Sequence, residues 1–285
     1  MSENKSIIDL AQEAGNAPNM PQEAPIQESA PRTQAPPANS SQEDTSMRDT
    51  LASLLSKVEE KTAWISVDLP TAGVFTNGIA SVEVRPFTFE DEKILRSIKK
   101  ASDGGRIINT LISRCTKDLD FNELSLVDKN FILFKLRELS YGSDYKIEAE
   151  CGACGASNEL TVELDKLPVT YASLDSRNDT KLILPDSEVE IDYIMPTAND
   201  EKFINNTDHL MDNLWRFVRS IGGHTERMII QGFISKTTGK DVTVLRNAIF
   251  NNDYGLQTKV NFLCNSCDSD SVIDLPINES FFDVS

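Results

Sequence analysis

The chain has little of what catalysis usually draws on. It carries two histidines, His209 and His224, and two tryptophans in 285 residues. It contains no Gly-x4-Gly-Lys-Ser/Thr, no Gly-x-Gly-x-x-Gly and no His-Glu-x-x-His. That removes the phosphate-cradling loop, the dinucleotide fingerprint and the helical zinc-protease pair. Gly239-Lys240 lacks both the upstream glycine and the following hydroxyl. His209 lies on a polar helical stretch and is expected to be solvated. His224 follows a glycine pair and is expected to start a helix. Basic charge is also scarce: 28 Lys and Arg stand against 45 Asp and Glu, for a net charge of −17. Such a balance argues against a nucleic-acid backbone or an anionic membrane as the main partner. No run approaches the ~20 apolar residues of a membrane span, and the polar first residues carry no signal-peptide core. No small-molecule substrate is expected.

Cysteine is sparse but patterned. Four of the five cysteines form two knuckles, Cys151-Gly152-Ala153-Cys154 and Cys264-Asn265-Ser266-Cys267. Each knuckle sits between two runs that read as strands: Tyr145 to Glu150 and Leu160 to Leu164, then Lys259 to Leu263 and Ser271 to Leu275. Four thiolates on two hairpin turns suit tetrahedral zinc, with Zn–S bonds of roughly 2.3 Å. The segment between the knuckles is far longer than the ~15–20 residues of a compact zinc ribbon. The alternative is a pair of redox or merely buried thiols. A redox Cys-x-x-Cys usually opens a helix, where the dipole lowers a thiol pKa, whereas these lie on turns. The sequence therefore assigns a structural Zn2+ to Cys151, Cys154, Cys264 and Cys267, with no open position for a reactive water. Cys115, in an apolar helical pattern, is expected to be a small core residue. Free thiols in this number fit a reducing compartment better than a disulfide scaffold.

An internal repeat accounts for the distance between the knuckles. Tyr141-Gly142 precedes Cys151 by the same spacing as Tyr254-Gly255 precedes Cys264. Upstream, Thr88-Phe89-Glu90-Asp91-Glu92-Lys93 matches Thr197-Ala198-Asn199-Asp200-Glu201-Lys202, and Val82-Glu83-Val84 matches Val189-Glu190-Ile191. The expected fold is α+β: two pseudo-repeated halves of helices plus β-hairpins, joined by a zinc-ribbon-like site of four cysteines. The expected divisions are a disordered tail over 1–45, a first half over 46–170 and a second over 171–285. The tail holds six of the twelve prolines and few large apolar residues, too little to offset ordering entropy.

Along the chain, Asp49 to Glu60 reads as an amphipathic helix with Leu51, Leu54, Leu55 and Val58 on one face. Thr88 and Thr197 read as helix caps, each with an Asp three residues on. The pairs Asp91-Glu92 and Asp200-Glu201 are read as cap and dipole complements rather than acid–base pairs. Ile94, Leu95 and Ile98 give the first helix its apolar face, and Gly104-Gly105 is expected to end it. Two further helices follow, from about Arg106 to Thr116 and after Ser125. A linker is expected over 168–186. In the second half a long helix from Thr197 carries Phe203, Ile204, Leu214, Phe217, Val218 and Ile221. Two more are expected, over Thr225 to Ser235 and from near Asp241. Phe281-Phe282 at the end reads equally as a core plug or as an anchor in a partner.

The chain resembles the baseplate protein family of T-even-type contractile-tailed bacteriophages, which includes the baseplate hub subunit. The resemblance rests on Val84-Arg85-Pro86-Phe87 running into Glu92-Lys93-Ile94-Leu95. It also rests on Phe134-Lys135-Leu136-Arg137-Glu138-Leu139-Ser140-Tyr141-Gly142 leading to Cys151-Gly152-Ala153-Cys154-Gly155, and on the loop Leu69-Pro70-Thr71-Ala72-Gly73. In the second copy Asp192-Tyr193 stands where Arg-Pro would be. The resemblance implies a non-catalytic role in building the hub of a tail baseplate. Other tail and hub proteins would be the partners, met in the host cytoplasm during assembly, with residence in the finished virion left open. The competing reading is a zinc-ribbon adaptor in transcription or RNA-associated complexes. Such modules display Lys, Arg and aromatics near the knuckle, whereas here stand Glu148, Glu150, Glu159, Asp268 and Asp270.

Overall fold

The computed structural model describes residues 40–76, 78–97, 101–204, 207–251, 253–275 and 279–282. The expectation of a disordered tail falls outside these residues as far as 39, and Ile98 lies outside them too. Two compact units are present. The first, Met1–Ala52, is described from Ser40, where helix α1 (Ser40–Lys61) begins. No proline or glycine interrupts 40–61, so the helix runs longer than the expected Asp49 to Glu60 and overlaps the predicted tail. Leu51, Leu54, Leu55 and Val58 are exposed on it. The second unit, Ser53–Ser285, holds every other element.

In the first half, β1 (Ile65–Asp68) pairs antiparallel with β2 (Ser81–Val84). Thr88 then caps α2 (Phe89–Leu95) through a full capping box with Asp91. Next come α3 (Ala101–Cys115) and α4 (Leu126–Tyr141). Ser125 caps α4 by accepting the Asp128 amide proton. The hairpin of β3 (Asp144–Glu150) and β4 (Ser157–Glu163) closes this half. Gly104-Gly105 does not end a helix; it lies inside α3. Helical glycine costs about 1 kcal/mol relative to alanine. The buried stripe of Ile107, Leu111, Ile112 and Cys115 on the same helix outweighs that cost, because each buried aliphatic side chain stabilises by about 1.5–3 kcal/mol.

The second half departs further from expectation. The stretch 168–186 is not an unstructured linker. It contains β5 (Val169–Thr170), a 3-10 turn at Leu174–Asn178 and β6 (Lys181–Ile183). Strand β7 (Glu190–Tyr193) pairs with β6. Thr197 and Asp200 repeat the capping box, but no long helix follows. The chain makes α5 (Glu201–Ile204), α6 (Thr207–Asn213) and a 3-10 turn at Leu214–Phe217, then turns into β8 (Val218–Ile221). β8 completes a three-stranded sheet in the order β6-β7-β8. His224 does not start a helix. It closes the turn after β8, exchanging backbone hydrogen bonds with Ile221. Helix α7 (Arg227–Ile234) begins three residues later. Thr238 caps α8 (Gly239–Phe250). β9 (Gly255–Leu256), β10 (Lys259–Leu263) and β11 (Asp270–Asp274) follow, the last two forming the second knuckle hairpin.

The two halves share a device that the sequence reading missed. Asp128 is fully buried in the first turn of α4, and its carboxylate accepts the amide and hydroxyl protons of Thr71. Asp241 is fully buried in the first turn of α8, and it accepts the amide protons of Asp186 and Ser187. Thr71 follows Leu69-Pro70, and Asp186 follows Leu184-Pro185. In each half the buried aspartate therefore pins a Leu-Pro turn to the N-terminus of a helix.

Two hydrophobic clusters result. One gathers β2, α3, α4, Tyr145 and Val162; the other gathers Leu184, β7, β8, Ile230, Leu245 and Ile249. They are stitched together by main chain. Leu126 donates to the Pro196 carbonyl, Ala198 donates to the Leu124 carbonyl, and β5 pairs with β9. Phe281 and Phe282, although they follow the second hairpin, are buried in the first cluster against Phe134, Tyr145 and Phe87. The terminal pair is thus a core plug.

Candidate metal centre

Each knuckle is a tight turn at the tip of its hairpin. The Cys151 amide donates to the Ala156 carbonyl, and the Gly155 amide donates to the Cys151 carbonyl. The second turn repeats this with Cys264 to Ser269 and Asp268 to Cys264. Both need a left-handed residue just after the second cysteine. Gly155 has φ 72° and Asp268 has φ 54°, a conformation open to glycine and tolerated by Asp. In each turn an amide also aims at the first sulfur: Ala153 N–H lies 3.4 Å from Cys151 Sγ, and Ser266 N–H lies 3.4 Å from Cys264 Sγ.

The two turns face each other. Cys151 Sγ is 3.7 Å from Cys267 Sγ, and Cys154 Sγ is 3.7 Å from Cys264 Sγ. All four sulfurs lie within 4.8 Å of one another and could hold a metal ion. The thiols are free. The first cysteine of each knuckle is buried and the second exposed. The fifth, Cys115, is buried in the first core. Burial and the nearby Asp91 carboxylate push its thiol up to about 12, so it stays a neutral core group.

The surroundings of the sulfurs differ. The Ser271 hydroxyl, then the amides of Cys154 and Ala153, hold the Cys151 thiol down at about 6. The Ser266 amide, followed by that of Cys267, lowers Cys264. The Ala156 amide pulls Cys154 down, but the Cys267, Cys151 and Cys264 sulfurs outweigh it and push that thiol up to about 12. Crowded thiols cannot all shed their protons without a cation to share the charge. A metal ion held by the four sulfurs would supply that charge.

Asn158 and Ser271 were not singled out from the sequence. Asn158 Nδ2 reaches Cys264 Sγ at 3.7 Å, and Ser271 Oγ lies 3.4 Å from Cys151 Sγ. The signal was there to read. Asn158 is in phase with Leu160 and Val162 on β4, and Ser271 is in phase with Ile273 on β11. A polar residue on the inward face of a strand needs a partner.

The aspartates of the pairs Asp91-Glu92 and Asp200-Glu201 cap their helices. Asp91 accepts the Thr88 amide proton, and Asp200 accepts that of Thr197, as the capping reading expects. His209 is exposed.

A family model described as T4 bacteriophage base plate protein matches residues 63–283. The chain belongs to this family. The match starts just before β1 and includes both hairpins, both knuckles and the Phe281-Phe282 plug. No curated protein and no solved structure matches the chain. Among the described residues, no helix of this baseplate-family chain is long and apolar enough to cross a membrane.

Proposed function

We propose that the protein is a structural or assembly component of the baseplate hub of a contractile-tailed phage. On this reading it is non-catalytic and held together by one zinc ion on Cys151, Cys154, Cys264 and Cys267. Family membership supports the baseplate setting. The single observation that carries the metal reading is the sulfur spacing. Zn–S bonds of roughly 2.3 Å in a tetrahedron put sulfurs about 3.8 Å apart, and two pairs across the knuckles stand at 3.7 Å. Iron also accepts four thiolates. The sulfur geometry suits either ion, and the metal analysis below decides between them. A cation with four protein ligands has no vacant position for substrate or water, which fits a scaffold.

The division into a tail over 1–45 and halves over 46–170 and 171–285 belongs to the same proposal. Each half brings two thiolates and the ion joins them. The hairpins carry exposed Glu148, Glu150, Glu159, Asp268 and Asp270, a surface that repels phosphate. Partners are therefore other tail proteins, met in the host cytoplasm during assembly. Metal analysis of protein purified without chelator should give one zinc per chain, falling to near zero in a Cys151→Ser, Cys264→Ser double variant. Pull-down from phage-infected cells should recover hub or spike proteins. Recovery of polymerase or ribosomal proteins, or salt-sensitive binding to nucleic acid, would replace this reading with the adaptor one.

A further inference from the structure

We infer that Asn158 and Ser271 are positioning residues for the metal-binding thiolates, each set by one half of the chain against the buried sulfur of the other. The inference rests on the metal reading above. Four thiolates around a divalent cation leave a net charge of about −2, in a chain already at −17. The exposed sulfurs of Cys154 and Cys267 can shed part of that charge to water. The buried sulfurs of Cys151 and Cys264 depend on protein donors. The turn supplies amide donors to each, among them those of Ala153 and Ser266 at 3.4 Å. The further donor comes from across the centre: the Ser271 hydroxyl for Cys151 and the Asn158 amide for Cys264.

The two donors occupy equivalent places. Each lies seven residues after the first cysteine of its own knuckle, on the returning strand, facing inward. Asn158 is 2% exposed and Ser271 8%. An apolar residue is the default for such a position, and a buried polar group left unpaired is destabilising. Asn158 is held in place on both sides of its amide. Its Oδ1 accepts the Asn265 amide proton at 2.9 Å, and its Nδ2 also donates to the Ala156 carbonyl at 2.9 Å. The Asn265 contact reaches into the opposite knuckle, so Asn158 fixes the opposite turn while offering a proton to its sulfur. Partners behind metal ligands orient the ligands and set their donor strength, and their loss typically weakens metal binding 10- to 100-fold.

The test uses the full chain loaded with zinc and competed against a chromophoric chelator. It is paired with the cobalt-loaded form, whose sulfur-to-metal charge-transfer band reports the electron density on the thiolates. Asn158→Ala and Ser271→Ala should each lose about tenfold or more in metal affinity. Each should also move the cobalt band to lower energy, because a thiolate that loses a hydrogen bond gives up its electrons more easily. Ser271→Thr should keep both wild-type values. A purely structural role would lower affinity without moving the band, and that outcome overturns the inference. Variants that hold zinc as tightly as wild type also overturn it, while leaving the metal reading intact. Wild-type protein that binds neither ion removes both. Should Ser271→Ala fail to fold by circular dichroism, the near-isosteric Thr and Val variants decide: only Val should lose affinity and shift the band, and equal behaviour sinks the idea.

Discussion

Asp91 and Asp128 are both fully buried carboxylates, and their surroundings push them opposite ways. Burial works against the charge on Asp91, but the Arg85 guanidinium at 2.7 Å, the Thr88 amide and the Arg114 guanidinium at 2.7 Å overcome it. They hold the group well below the usual carboxylate range. For Asp128 burial prevails over the Thr71 and Ser125 donors and raises the pKa. The linkage signs follow. Asp91, depressed in the folded state, contributes stability that is complete above the unfolded value of about 4 and is lost as pH falls through its folded value. Asp128, raised in the folded state, contributes below about 4 and loses that contribution as pH rises through its folded value. Asp91→Asn should therefore cost about 1.5–3 kcal/mol at pH 7, since it removes a buried charged acceptor from the half-buried Arg85 and from Arg114. It should also flatten the loss of stability between neutral pH and pH 3. Urea midpoints at the two pH values measure both effects, and parallel curves for variant and wild type would refute the assignment. Only part of this site was legible. Thr88 and Asp91 are three apart, so the cap could be read from spacing. Arg114 is distant in sequence, and its approach depends on how α3 packs.

Helices and strands were legible where one period fitted and the ends were marked. The knuckle hairpins alternate, and α4 and α8 carry Ser and Thr caps, so their placement needed nothing from tertiary structure. The stretch from Leu214 to Ile221 misled for a physical reason. Leu214, Phe217, Val218 and Ile221 stand at helical spacing, yet all four are buried in a 3-10 turn followed by a strand. Within Val218–Ile221 the β-branched ends suit a strand. Pairing with β7, bulged at Asp192/Tyr193, decides the outcome, and pairing partners lie outside any local window. The repeat itself was legible through Tyr141-Gly142 and Tyr254-Gly255. Gly142 has φ 89° at the end of α4 and Gly255 has φ 91° at the start of β9, so in both copies the glycine after the tyrosine takes a positive φ, which L side chains resist. The surroundings differ. A Cβ on Gly142 would meet open space, whereas one on Gly255 would sit 2.5 Å from Val127 Cγ1. Gly142→Ala should cost about 1–2 kcal/mol from backbone strain alone, and Gly255→Ala about 2–4 kcal/mol once the clash is added. Pairing Gly255→Ala with Val127→Ala should recover the difference by thermal denaturation. Equal costs at the two glycines would show that the steric contact with α4 is not felt.

At the scale of the whole molecule the two copies are interleaved rather than set side by side. The first hydrophobic cluster contains Leu275, Phe281 and Phe282, from beyond the second hairpin. Phe281 is held there by more than packing, because the buried Arg137 donates through Nε to its carbonyl at 3.0 Å. Lys129, buried on α4, pairs with Glu201 on α5, and Ser125 bridges Thr197 in the main chain. The sulfur cluster takes two cysteines from each copy. The sulfur cluster could be read from the matched knuckles, but the other cross-links cannot be inferred from matching one repeat to the other, since a repeat predicts what each copy contains and not what it lends. They carry a consequence for cooperativity. Phe281→Ala should remove about 3–5 kcal/mol and lower a single transition, seen alike by circular dichroism and tryptophan fluorescence, although the only two tryptophans are Trp64 and Trp215, one in each copy. The stronger test is to divide the chain. Residues 53–170 alone lack the plug and two thiolates; residues 171–285 alone keep a plug with no socket and two cysteines that cannot close a four-sulfur site. Each piece by itself should be largely unfolded and hold metal weakly. Mixed with one equivalent of zinc they should assemble into a one-to-one complex with native circular dichroism, and a chelator should separate them again. Two pieces that each fold cooperatively on their own would mean that the copies are independent domains and that the cysteine cluster merely tethers them.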